Sequence, residues 1–146
     1  MKSLKKLMII TLCFILCFTG TTVTANAAAE NSADPCYDYT RQASSGLIIN
    51  SSGKATVSIS CTGLNSSVTK ITSETCLQRK FGLIWIKANI GTTNNVWTYT
   101  ANDYLLVTSH SANLSKKGTY RAKTVFTVYK GTSSEKVTIY SLTAEY

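Results

Sequence analysis

The sequence predicts an all-β fold, an antiparallel sandwich of about seven short strands. Three observations carry this expectation. Apolar and polar residues alternate with period two, most cleanly in Ala55-Thr56-Val57-Ser58-Ile59-Ser60-Cys61, which sends successive side chains to opposite faces of a strand. Clusters of Gly, Ser and Asn interrupt these runs at intervals of about a dozen residues. The single proline, Pro35, lies ahead of all of them, so the strand interiors keep their ladder donors.

The elements follow in order. Residues 1–27 have the layout of a cleavable signal peptide: basic MKSLKK, apolar LMIITLCFILCF, then Ala25-Asn26-Ala27 as the cleavage pattern. The apolar run is too short to span a bilayer comfortably. Cys13 and Cys17 follow leucines, not the small residue that a lipidation site needs. The chain is therefore expected to be secreted, with no stable membrane insertion after cleavage. Residues 28–35 form a polar leader, and 36–146 form one domain. Its first extended run ends at Asn50, and Ser51-Ser52-Gly53 turns the chain into Lys54–Leu64. A loop leads to Ile71–Lys80, Gly82 turns the chain, and a strand carrying Trp85 follows. Val96–Ser111 holds one or two strands and Leu114–Lys130 another. The segment Lys130–Lys136 reads as a loop, and Val137–Tyr146 closes the domain.

One spacing sharpens the fold class. Leu114, Gly118 and Tyr120 precede the alternating run Ala122, Thr124, Phe126, Val128. In immunoglobulin-like sandwiches a tyrosine at a strand start latches the preceding corner by donating its hydroxyl to backbone just upstream. Here Leu114 is the last inward residue of the preceding strand, Gly118 the corner and Tyr120 the latch. The expected fold is thus an immunoglobulin-like β-sandwich. The cysteine that antibody domains place two residues after this tyrosine is Ala122 here, so their inter-sheet bridge is not expected.

Three cysteines remain beyond the signal segment: Cys36, Cys61 and Cys76. Export permits disulfides, and the short Cys61–Cys76 loop makes these the leading pair. Against it, Leu77 facing the core would turn Cys76 outward, whereas Cys61 shares a face with Val57 and Ile59.

The segments INSSGKATVSISCTG, CLQRKFGLIWI and GTYRAKTVFTVYKGTSSEKVTIYS resemble a family of small secreted proteins of unknown function from Gram-positive, clostridia-like bacteria. The resemblance runs from about Tyr37 to Tyr146 and rests on Leu77-Gln78-Arg79 with Trp85, on Gly118-Thr119-Tyr120-Arg121 and on Val128-Tyr129-Lys130-Gly131. It implies an exported protein with an immunoglobulin-like fold. It supplies no catalytic residue and no support for a Cys61–Cys76 bridge. A bacterial source would make the Asn-x-Ser sequons at Asn50, Asn65 and Asn113 turn residues instead of glycosylation sites.

No constellation points to catalysis. His110, the one histidine, sits in Val107–Asn113 beside Ser109 and Ser111, without the strained Gly-x-Ser-x-Gly turn of a hydrolase. Cys61, Cys76 and His110 lack the paired spacing of a zinc site. The acids are scattered, unlike a calcium loop, and none lies in an apolar run that would raise its pKa for glycoside hydrolysis. The expectation is no enzyme, no metal and no cofactor.

Binding remains. Trp97, Tyr99 and Tyr104 form an aromatic group able to stack on sugars or anchor a protein; a half-buried sheet face explains them as well. If Trp85 is core, Trp97 is the more exposed tryptophan. The chain has fifteen Lys and Arg against seven Asp and Glu; three of the cations precede residue 28, leaving about +5 on the domain. That charge suits an anionic cell-wall polymer, a glycan or a protein partner. The lysines are spread along the chain, which disfavours nucleic acid. The leading expectation is a secreted non-enzymatic binding module using a sheet face or the loops at 63–70, 90–95 and 131–136. The alternative is a small secreted effector or antimicrobial protein acting on other cells.

Overall fold

A computed structural model describes residues 37–146. The signal segment, the leader and Cys36 lie outside the described residues. Among these residues the strands are β1 (Thr40–Ile49), β2 (Lys54–Gly63), β3 (Lys70–Phe81), β4 (Ile84–Lys87), β5 (Trp97–Ala101), β6 (Leu105–Asn113), β7 (Thr119–Lys130), β8 (Ser133–Tyr140) and the short β9 (Ala144–Glu145). A single 3-10 turn covers Thr93–Asn95, and no α-helix is present among the described residues.

All pairings are antiparallel. The smaller sheet has the order β1-β2-β6. The larger has β3 and β7 at its centre and β8 beyond β7. The far edge of β3 is shared: β4 pairs with Gln78–Phe81 and β5 with Ile71–Thr75. β9 continues beside β7 after an interruption at Ser141. There the Ser141 hydroxyl accepts from the Ala122 amide at 2.8 Å and donates to the Leu142 carbonyl at 2.7 Å. A side chain thus stands in for the broken ladder.

Each sheet buries one face, and the two buried faces share one core. Val57, Ile59 and Cys61 of β2 meet Leu106 of β6 on one side; Ile71 and Leu77 of β3 meet Tyr120, Ala122, Phe126 and Val128 of β7 on the other. Strict alternation on β7, buried at every even position from Tyr120 to Val128, is the period-two pattern of the sequence made physical. The core also contains hydroxyls. Thr124 lies 3.1 Å from the Thr75 hydroxyl and 3.4 Å from that of Ser45, so these three hydroxyls from both sheets satisfy one another, whereas the buried Ser73 hydroxyl has no partner among the described residues. At one end Glu135 ties the sheets together, accepting from the Tyr39 amide at 2.7 Å.

The corner between β6 and β7 is held by Tyr120. Its ring is buried and its hydroxyl donates to the Lys116 carbonyl four residues upstream. Gly118 has φ +138, open to glycine and strained for side-chain-bearing residues.

Two expectations change. Cys61 and Cys76 are free thiols, so the Cys61–Cys76 disulfide is corrected. Cys61 points into the core between Ala43 and Leu106. Cys76 is paired with Lys123 on the outward face of the other sheet. Opposite orientations in different sheets keep their Cβ vectors apart. The segment Lys130–Lys136 is not a loop: only Gly131 and Thr132 turn, and Ser133 already pairs with Lys130. Gly131 at φ +60 supplies the left-handed conformation that so tight a turn needs.

Candidate functional site

The outward face of the larger sheet is built by alternation. Wherever β3 and β7 send Leu77 and Ala122 inward, the neighbouring Gln78 and Arg121 must face out, and the register places those two side by side. Arg121 Nε donates to Gln78 Oε1 at 2.9 Å. Trp85 arrives on the same face from β4, paired with Lys80, and Tyr140 arrives from β8, paired with Lys123. The result is a stack: the Arg121 guanidinium lies 4.3 Å from the Trp85 ring centroid and 4.3 Å from that of Tyr140. Lys70 sits 4.0 Å over Tyr129 farther along the face. Each contact at an exposed site is worth about 0.5–1 kcal/mol, so their first effect is to fix rings and cations in place.

The charge of this face is one-sided. Lys70, Lys80, Lys87, Arg121, Lys123 and Lys136 project from it, with Glu74 as the carboxylate among them. Two shallow hollows meet at Glu74 and Val96. One, of about 450 Å³, is lined by Thr92, Thr93, Asn94 and Thr98. The other, of about 160 Å³, is lined by Gln78, Lys87, Lys123 and Val125, with Cys76 at its floor. The segment between β4 and β5 that walls the first hollow is ordered by its own polar groups. Ile90 donates to Asn95 Oδ1 at 3.1 Å, Gly91 to Asn89 Oδ1 at 3.0 Å, and Lys87 Nζ to the Asn94 carbonyl at 3.4 Å. Hydroxyls and amides thus line one end, cations and flat rings the other. Burial pushes the Cys76 thiol pKa up even though Lys87, Lys123 and Arg121 pull it down, and burial pushes Cys61 up to about 12. Neither thiol has the lowered pKa of a reactive nucleophile.

The aromatic residues singled out from sequence lie elsewhere. Trp97 is half-buried on the inward side of β5, packed against the core and stacked on His110 at 5.3 Å with 10° between planes. Tyr99 is exposed on that same side of β5, and Tyr104 is exposed in the turn before β6. The three do not share a surface with Trp85. Burial lowers the His110 pKa, and its Nε2 has no partner among the described residues. No group of three or more His, Cys, Asp or Glu among the described residues is placed to hold a metal ion.

Sequence reasoning missed Trp85, Arg121 and Tyr140. The signal was present: the odd positions of β7, which alternate with the core residues, read Arg121, Lys123, Val125, Thr127, Tyr129. That series is basic and aromatic where an idle outer face carries small polar residues.

No protein-family model, no curated protein and no solved structure matches the chain.

Proposed function

We propose that the protein is a secreted, non-enzymatic binding module of immunoglobulin-like fold that recognises an anionic glycan or cell-wall polymer through the outer face of its larger sheet. The single observation that carries the reading is the Trp85–Arg121–Tyr140 stack set among the cations of that face. Flat rings offer stacking surface to sugar rings, and fixed cations offer partners to carboxylate, sulfate or phosphate groups. The Thr and Asn side chains of the adjoining hollow suit sugar hydroxyls. A shallow open face fits a polymer lying across it better than a small molecule enclosed by it. The fold assignment is supported by the order β1-β2-β6 against β4-β3-β7-β8 and by the Tyr120 latch. Kinship with small exported Gram-positive proteins belongs to the same proposal.

The test is retention on immobilised sulfated dextran against neutral dextran at about 0.05 and 0.15 M salt. The wild-type protein should be held by the sulfated matrix at both salts. Trp85→Ala and Arg121→Gln should each weaken retention about tenfold or more, a loss on the scale of an interface anchor. Lys54→Gln, a charge change on the other sheet, should leave it nearly unchanged. Equal losses for Lys54→Gln and Arg121→Gln would reduce the binding to net charge and reject the site.

A further inference from the structure

We propose that the β3–β4 hairpin docks into an anionic lipid surface. The hairpin closes through the two-residue turn Gly82-Leu83 between the paired residues Phe81 and Ile84. Its large apolar side chains face water: Leu83 is 97% exposed, Phe81 63%, Ile84 59% and Ile86 37%. Phe81 lies on the side of β3 that is buried lower down at Thr75 and Leu77, but at the tip nothing covers it. Contiguous exposed apolar surface of this kind marks an interaction site.

Charge identifies the occupant. Arg79, Lys80 and Lys87 lie within the hairpin, and Lys116 joins Arg79, Ile86 and Lys87 around a hollow at its base of about 200 Å³ that no carboxylate lines. An apolar tip backed by long cationic side chains matches the layering of an anionic bilayer. Phe81, Leu83 and Ile84 enter the acyl boundary, and the lysines and arginine remain with the headgroups. Trp85, half-exposed one residue behind Ile84, sits at the depth where amphipathic rings settle. A second copy of the chain fits worse, because symmetric docking would bring two such cation groups together. Trp85, Lys80 and Lys87 also belong to the sheet face that meets the polymer, whereas Phe81, Leu83 and Ile84 do not, so Leu83→Asp should abolish vesicle docking and leave retention on sulfated dextran unchanged.

The experiment uses the chain from residue 28 onward, the form that signal cleavage leaves, carrying Trp97→Phe, which leaves Trp85 as the one tryptophan. Its emission is followed on vesicles of phosphatidylcholine and phosphatidylglycerol with brominated acyl chains, and on brominated phosphatidylcholine alone. Trp85 should be quenched on the anionic vesicles, several-fold less on the neutral ones, and several-fold less again when Leu83→Asp is added. Leu83 is almost fully exposed, so that substitution leaves the core intact. Amide exchange of Phe81–Ile86 in the unsubstituted chain should slow on anionic vesicles. It serves as the second readout should Trp97→Phe disturb folding. Vesicle-bound protein with unquenched Trp85 and unchanged exchange would mean that another segment binds. Quenching indifferent to Leu83→Asp, or a vesicle-free dimer abolished by Leu83→Asp, would equally overturn the proposal.

Discussion

Tyr120 shows how much one hydroxyl can hold. Its ring is buried in the core, while its oxygen donates to Lys116 across the corner that joins the two sheets. Tyr120→Phe keeps the ring and leaves a part-buried backbone carbonyl without its donor. The expected loss is about 0.5–1.5 kcal/mol, read as a lower denaturant midpoint; an unchanged midpoint would mean that the latch contributes nothing. His110 gives a prediction of opposite character. Burial lowers its pKa below the unfolded value near 6.5, so the unfolded chain binds the proton more readily. Stability from this group is full above about pH 6.5 and declines as pH falls through the folded pKa. Unfolding free energy followed from about pH 7.5 to 5 should therefore fall in the wild type and fall less in His110→Gln. Identical slopes would remove His110 from the account. The two tryptophans show where residue-level reading stops. Alternation says that Trp97 and Thr98 face opposite ways but not which way is inward. That is decided by the pairing of Trp97 with Thr75, a buried residue, and by the stacking of Trp97 on His110.

Among the elements, turns were legible where glycine dictated them, and a turn's length was misread where polar residues followed the glycine. Ser51-Ser52-Gly53 forms the turn between β1 and β2. Asn50 Oδ1 accepts there from the amides of Ser52 and Lys54 at 3.1 and 2.9 Å, and Gly53 adopts φ +81. Gly53 also carries a tertiary demand that spacing could not reveal. A Cβ there would meet the Tyr146 ring at 2.4 Å, because β9 brings Tyr146 across the turn. Gly53→Ala should therefore cost more than the roughly 1 kcal/mol scale of an ordinary backbone substitution, as measured by thermal melting. A loss no larger than that would show that Tyr146 swings aside freely. Lys130–Lys136, by contrast, is polar throughout most of its length, yet Ser133–Lys136 are strand. Their side chains alternate between solvent and the half-buried Glu135, which caps the start of β1. That long-range bond, not local composition, explains why the strand begins so early. The Cys61–Cys76 pairing failed for a related reason: closeness in sequence does not make two residues neighbours when a sheet-to-sheet crossing separates them.

At the scale of the whole molecule the two outer faces differ in kind. The smaller sheet presents small hydroxyls, with Thr56 bonded to Ser111 at 3.1 Å, beside exposed Ile48, Leu105 and Val107. The larger sheet presents rings and cations. Lysines that look dispersed along the chain gather there because β3, β4, β7 and β8 are neighbours in space, an arrangement that composition cannot express. The sandwich was legible because two-residue periodicity is a local property. The face was not, since it is assembled across strands dozens of residues apart. The proposed binding surface is this assembled face and not the net charge. A map of backbone amide chemical shifts as a short sulfated dextran is added tests it. Perturbations should centre on Gln78, Trp85, Arg121 and Tyr140, with Thr56, Ser58, Ser109 and Ser111 on the opposite face unmoved. Perturbations spread over every lysine-bearing segment, Lys54 included, or centred on Trp97 and Tyr99, would contradict it.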